Sequence, residues 1–133
     1  MDESLARTLT EIEGDDWADP EFDSHLLTRV HRLRHKPIGE FTIEDLRVTI
    51  GQSVGLPYLV PLAVNQLERD PLIEGDYFPG DLLLNVLRIA DSFWHSHAAL
   101  RDRVHPVAQL VRERTDDSKI LETCLEFLSR WKS

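Results

Sequence analysis

The sequence predicts an all-α fold, a compact single-domain bundle of roughly six to eight helices with two acidic, aromatic-containing loops. Three observations predict it. Apolar residues recur at three- and four-residue intervals nearly throughout. Strand-like alternation is nowhere sustained, and Gly and Pro punctuate the chain at distances that suit short helices. At 133 residues, against roughly 100–200 per domain, one domain covering 1–133 is expected. No repeat, low-complexity tract or long linker divides it.

Leu5, Leu9 and Ile12 lie at i, i+4 and i+7 and stop at Gly14, which predicts a first helix from about Ser4 to Glu13. Asp23 or Ser24 can cap a second helix through Lys36, with Leu26, Leu27, Val30 and Leu33 as its stripe, a basic opposite face, and Pro37 as its end. Thr42-Ile43-Glu44-Asp45 resembles a capping box with Asp45 in the Glu/Gln place. It opens a third helix carrying Ile43, Leu46 and Ile50 inward until Gly51 or Gly55. Pro57 and Pro61 frame an apolar fourth helix from about Tyr58 to Arg69. Because an interior proline costs ~3 kcal/mol, its regular part is expected to start near Pro61. Almost no polar face remains before Asn65, which predicts a central helix. Asp81 is expected to cap Leu82 to Arg88, and Asp91 a segment with Phe93 and Trp94. Pro106 starts or kinks a helix through Arg114. Asp116 or Asp117 opens the last, where Ile120, Leu121, Cys124, Leu125, Leu128 and Trp131 form a stripe.

Between the helices stand two acidic runs. The first, from Glu13 to Asp23, holds Asp15, Asp16, Trp17, Asp19, Glu21, Phe22 and Asp23; the second, from Asp70 to Asp81, holds Glu74, Asp76, Tyr77, Phe78 and Asp81. Gly and Pro keep both out of helices and on the surface. Aromatics among carboxylates are what a surface shows when it grips a basic partner. These twelve residues are the candidate binding site, with Trp17 and Tyr77 as anchors. The alternative for Trp17, Phe22, Tyr77 and Phe78 is that they fold back as lids over the bundle.

Fifteen Lys and Arg against 24 Asp and Glu give a net charge of −9, so phosphate backbones are repelled and basic surfaces attracted. Direct nucleic-acid binding is disfavoured. Residues 1–23 carry nine acids and Arg7, whereas 24–36 carry Arg29, Arg32, Arg34 and Lys36 with no acid, so the N-terminal third is dipolar. The single cysteine, Cys124, excludes a disulfide framework and fits a reducing, cytoplasmic home. The acidic Met1-Asp2-Glu3 start, without a long apolar stretch, argues against a signal peptide, and no run approaches the ~18 apolar residues of a membrane span.

Catalytic constellations are weak. Asp15 and Asp16 could pair as acid and base, yet nothing pushes their pKa values apart. His31 and His35 have the i, i+4 spacing of metal ligands, without the zincin Glu and with Arg32 and Arg34 around them, so a solvated basic face is the simpler reading. His25 lies off that face. His95 and His97 straddle Ser96 with no carboxylate neighbour, and Cys124 sits on a core stripe. No nucleophile elbow, phosphate loop or dinucleotide fingerprint occurs. Neither an enzyme, a cofactor nor a metal is expected.

Several blocks in order carry a resemblance. Glu13 to Trp17, Ser24 to Pro37, Phe41 to Arg47, Ile50 to Leu62 and Gly75 to Leu82 together resemble the small helical immunity proteins of bacterial contact-dependent growth inhibition (CDI) systems. The resemblance covers roughly residues 9 to 95. It implies a cytosolic antitoxin that binds the C-terminal toxin domain, commonly a nuclease, delivered by a neighbouring cell. It supplies no catalytic residues. The alternatives are a helical adaptor for a basic protein of the same cell and a small carboxylate-dependent hydrolase.

Overall fold

The computed structural model describes residues 3–14 and 25–132. Among them the chain forms eight α-helices and two 3-10 turns; an isolated antiparallel bridge between Glu74 and Pro79 is the one extended pairing. The all-α expectation is met.

The N-terminal stripe is broken where one helix was expected. A 3-10 turn, Glu3–Ala6, is followed by α1, Leu9–Glu13. Thr8 is the cause: its hydroxyl accepts the Glu11 N–H at 3.1 Å while Glu11 Oε1 accepts the Thr8 N–H at 3.2 Å. This capping box starts a new helix in the middle of the stripe. Gly14 closes it with φ 66°, as expected.

Helix α2, His25–Leu33, stops short of Lys36. The bonds of His35 to Arg32 O and of Lys36 to Leu33 O are tight i→i+3 turns, in keeping with the exclusion of helical geometry before Pro37. A 3-10 turn, Ile38–Glu40, leads to α3, Ile43–Gly51. Its capping box forms as read: Thr42 Oγ1 accepts the Asp45 N–H at 3.1 Å and Asp45 Oδ2 accepts the Thr42 N–H at 3.0 Å.

Helix α4, Leu56–Arg69, starts earlier than Pro61. Gly55 supplies its N-cap at φ 64°, where a Cβ would stand 2.8 Å from both Leu9 methyls. Pro57 then sits in the permissive first turn. Pro57 is exposed, so the carbonyl that Pro61 leaves without a helical donor can be hydrated.

Two expected caps are corrected. Helix α5, Asp81–Leu87, is preceded by Gly80 at φ 91° as N-cap, and the Asp81 carboxylate turns away from the helix. Helix α6, Asp91–Ser96, has Ala90 as N-cap with no side-chain bond, while Asp91 accepts from Arg130 at 3.2 Å. Helix α7, Ala98–Arg114, begins well before Pro106 and runs through it. Asp102 and Pro106 are both exposed, so the unpaired turn faces water. Helix α8, Ser118–Arg130, is capped as expected by Asp117, which accepts from Lys119 and Ile120 at 2.9 and 3.1 Å.

Helix α7 packs on α8 and α3 on α5, while α4 touches α3, α5 and α7. Leu59, Val60, Ala63, Val64 and Leu67 of α4 are fully buried, which fits the predicted central position. It shares that position with α5, whose Leu82, Leu83, Leu84, Val86 and Leu87 are all buried. Trp94 meets Phe127 edge-on at 5.7 Å, and Cys124 lies beside them in the same core. The α8 stripe is narrower than read. Ile120, Cys124 and Phe127 are buried, Leu121, Leu128 and Trp131 are half-buried, and Leu125 is exposed. No helix of the described residues is long and apolar enough to cross a membrane.

Candidate functional site

The second acidic run is a wrapped loop tied to the bundle from inside. Asp81 is buried, and its carboxylate accepts the backbone N–H groups of Gly75 at 2.7 Å, Tyr77 at 3.1 Å and Phe78 at 3.4 Å. The Gly80 N–H closes the base on Leu72 O at 3.1 Å. Gly75 is required at its place. A Cβ there would lie 2.7 Å from Glu44 Oε1 and 3.0 Å from Asp81 Oδ2.

Glu44, buried on α3, holds the other side of the loop. Its Oε1 accepts the Asp76 N–H at 3.0 Å. The same carboxylate takes a two-pronged bond from Arg47, Nε at 2.6 Å and Nη2 at 2.5 Å. Arg47 in turn lies 3.8 Å from Asp81 and places its guanidinium 4.3 Å from the centroid of the Tyr77 ring. Asn85 of α5 donates to Arg47 O at 2.9 Å and fixes the backbone beneath. The Arg47 hydrogen bonds, outweighing burial and aided by the Asp76 N–H, hold Glu44 below the usual carboxylate range. Bonding to Glu44 raises Arg47 further, so the pair stays charged.

These contacts sort the residues singled out in the sequence. Glu74, Asp76 and Tyr77 are exposed, Tyr77 by 69 %. Phe78 packs against the core as the lid reading has it. Asp81 is turned inward and presents no carboxylate to solvent, so its part in the loop is to hold the backbone. Asp15, Asp16, Trp17, Asp19, Glu21, Phe22 and Asp23 lie outside the described residues. Glu44 and Arg47 were missed. Their i, i+3 spacing on a predicted helix was the available signal.

The face of α2 is not the freely solvated basic surface that was read. Arg34 is buried and donates to Glu13 Oε1 at 2.5 Å. Lys36 donates to Asp45 at 2.7 Å, and Arg29 lies 3.8 Å from Glu44 and 3.6 Å from Asp45. Burial works against the Asp45 charge, but bonds from Lys36 and Thr42 prevail and keep it below its ordinary value. Acids of α3 thus neutralise part of the α2 face.

Chemistry has little to assemble here. Among the described residues no group of three or more His, Cys, Asp or Glu could hold a metal ion. The rings of His31 and His35 are 5.1 Å apart, with His35 Nδ1–H donating to His31 O at 3.0 Å. His97 stacks on Phe93 at 4.1 Å and His95 meets Trp131 at 4.8 Å, both as packing contacts. Burial pushes the Cys124 thiol up to about 11, which leaves no thiolate at neutral pH.

Comparison with known proteins supplies a family. Residues 11–104 match the family model described as CDI immunity proteins. No curated protein and no solved structure matches the chain.

Proposed function

Since the chain belongs to the family of CDI immunity proteins, we propose that it acts in the cytoplasm by binding the C-terminal toxin domain of its own system and blocking it without turnover. The toxin domain in this reading is a nuclease. A nuclease is basic where it holds phosphates, and a chain of net charge −9 complements such a surface. Charge of this kind steers association toward ~10⁸ M⁻¹s⁻¹ at low salt. Tight inhibitor pairs reach Kd of order 10⁻¹³ M, which takes a few buried anchors in addition to rim charge.

The observation that carries this reading is Tyr77, exposed directly after exposed Glu74 and Asp76 on a loop whose backbone is fixed from within. Tyr at the tip of a rigid acidic loop combines an aromatic anchor with complementary charge. Phe78 supports the loop from the core side, and Asp81 holds its backbone. In the first acidic run, Asp15, Asp16, Asp19, Glu21 and Asp23 are assigned to the charged rim, Trp17 to an anchor, and Phe22 to the contacting residues beside it.

Titration of the purified toxin domain tests the proposal. Nuclease activity should fall linearly and vanish near one equivalent of immunity protein. Protection at a small fraction of an equivalent would mean turnover and overturn it. An unaffected nuclease would overturn the toxin assignment.

A further inference from the structure

We propose that Arg47 is a positioning residue for recognition: locked by Glu44, it holds the Tyr77 ring in the pose that enters a cationic cleft of the toxin domain. This rests on the preceding assignment of the Glu74 to Phe78 loop to the interface. Tyr77 is 69 % exposed, and its ring lies against the Arg47 guanidinium, 4.3 Å from the centroid. An aromatic side chain left to rotate in water loses that freedom on binding, and affinity falls accordingly.

The backbone beneath the ring and the Arg47 side chain are tied down. The Tyr77 N–H is bonded to Asp81, the preceding Asp76 N–H to Glu44, and the Arg47 guanidinium is held in a fork by Glu44. The side chain of Arg47 is only 17 % exposed, so it is poorly placed to meet a partner directly and well placed to act through the ring above it. Its charge is also offset by two buried carboxylates, Glu44 at hydrogen-bond distance and Asp81 at 3.8 Å, so the unit does not repel a basic partner.

The arrangement specifies what the partner must offer. One face of the Tyr77 ring is covered by Arg47. The outer face and the phenol hydroxyl remain for the toxin, with the Glu74 and Asp76 carboxylates three and one positions before the ring in sequence. A cleft one ring wide, rimmed by Lys or Arg and containing a hydrogen-bond acceptor for the hydroxyl, fits this.

The test is a double-mutant cycle read as the dissociation rate of the toxin domain encoded at the same locus. Arg47→Lys keeps the charge that Glu44 and Asp81 need but loses the fork and the planar stack. It should raise the dissociation rate by roughly three- to tenfold when Tyr77 is present. In the Tyr77→Ala background it should change nothing further. Equal effects in both backgrounds, or none with Tyr77 intact, would overturn the positioning role while leaving the loop at the interface. No effect of Tyr77→Ala itself would overturn the interface assignment and the proposal with it. Should Arg47→Lys fold poorly, Glu44→Gln, which weakens the fork without removing its oxygen acceptor, must show the same dependence on Tyr77; an effect independent of Tyr77 would count against the role.

Discussion

Lys36 Nζ lies 2.7 Å from Asp45 Oδ2, the same oxygen that accepts the Thr42 N–H at 3.0 Å. One carboxylate oxygen therefore caps α3 and holds the segment that follows α2, so helix start and helix packing share a charge.

Acid should weaken the protein through this oxygen and through Glu44. Both groups have folded-state values below their ordinary ones. Their contribution is thus fully present above the unfolded value and is lost as pH falls through the folded one. Thermal melts should be nearly flat from pH 7 to about 5 and decline below about 4. Lys36→Met, which removes the ammonium from Asp45, should lower stability at neutral pH and make the acid decline shallower. An unchanged slope would show that Asp45 is not coupled to Lys36.

Core truncations on α8 should differ by position. Phe127 is 1 % exposed and packs against Trp94, so Phe127→Ala should cost about 3–5 kcal/mol in urea unfolding. Leu128 is half-buried, and Leu128→Ala should cost about 1–2 kcal/mol. The reverse order would place the wrong face of α8 against the bundle.

Cys124 should resist thiol reagents. It is fully buried, and its thiol is pushed up to about 11. At pH 7.5 a disulfide reagent should label it at the rate of global opening, and completely once urea unfolds the chain. Rapid labelling of the native protein would contradict the burial.

Gly75→Ala should loosen the acidic loop without unfolding the helices. The added Cβ meets Glu44 Oε1 at 2.7 Å, and shifting a carboxylate that also binds Arg47 should cost about 1–3 kcal/mol. Helical circular dichroism should be retained, while the Gly75, Asp76, Tyr77 and Phe78 amides exchange faster with solvent. Unchanged exchange would mean that the two carboxylates are not what holds the loop.

Charge removal should act on association. Glu74→Gln with Asp76→Asn should slow binding of the toxin domain severalfold at low salt and flatten its salt dependence, leaving dissociation nearly unchanged. Changing Asp15, Asp16 and Asp19 together to Asn should act in the same way, and Trp17→Ala should instead speed dissociation. If reversing Arg29 and Arg32 abolishes binding while these variants bind normally, the interface lies on the α2 face.

What could be read in advance was what neighbouring residues decide. The Thr42–Asp45 box, the Asp117 cap, the Gly14 stop and the apolar run of α4 are local patterns, and all formed. The Thr8–Glu11 box was equally local but hidden inside a stripe that looked continuous. Asp81 misled because a carboxylate before an apolar run has two sets of amides within reach. The ones it takes lie upstream, at 75, 77 and 78, where the chain has folded back. Pro61 and Pro106 misled because the carbonyls they orphan belong to exposed residues, Pro57 and Asp102, where water can take the missing bond and lower the cost of an interior proline. Burial of Arg34 against Glu13 depends on a contact twenty-one positions apart, which no periodicity encodes. In the candidate site, exposure of Tyr77 beside carboxylates was legible from composition. The Glu44–Arg47 fork beneath it required knowing that α3 lies under the loop.

Asp81 and Glu44 fasten the 75–78 segment by its backbone N–H groups, and apart from the ring of Phe78 the side chains of that stretch take little part in shaping it. Form and reading are therefore carried by different atoms. Positions 74, 76 and 77 can be rewritten, with another charge or another ring, and the main chain will follow the same course. The loop is in this sense a socket that accepts exchangeable tips, and under the proposed interface its share of a change of cognate partner would take new side chains at those three positions without a new fold.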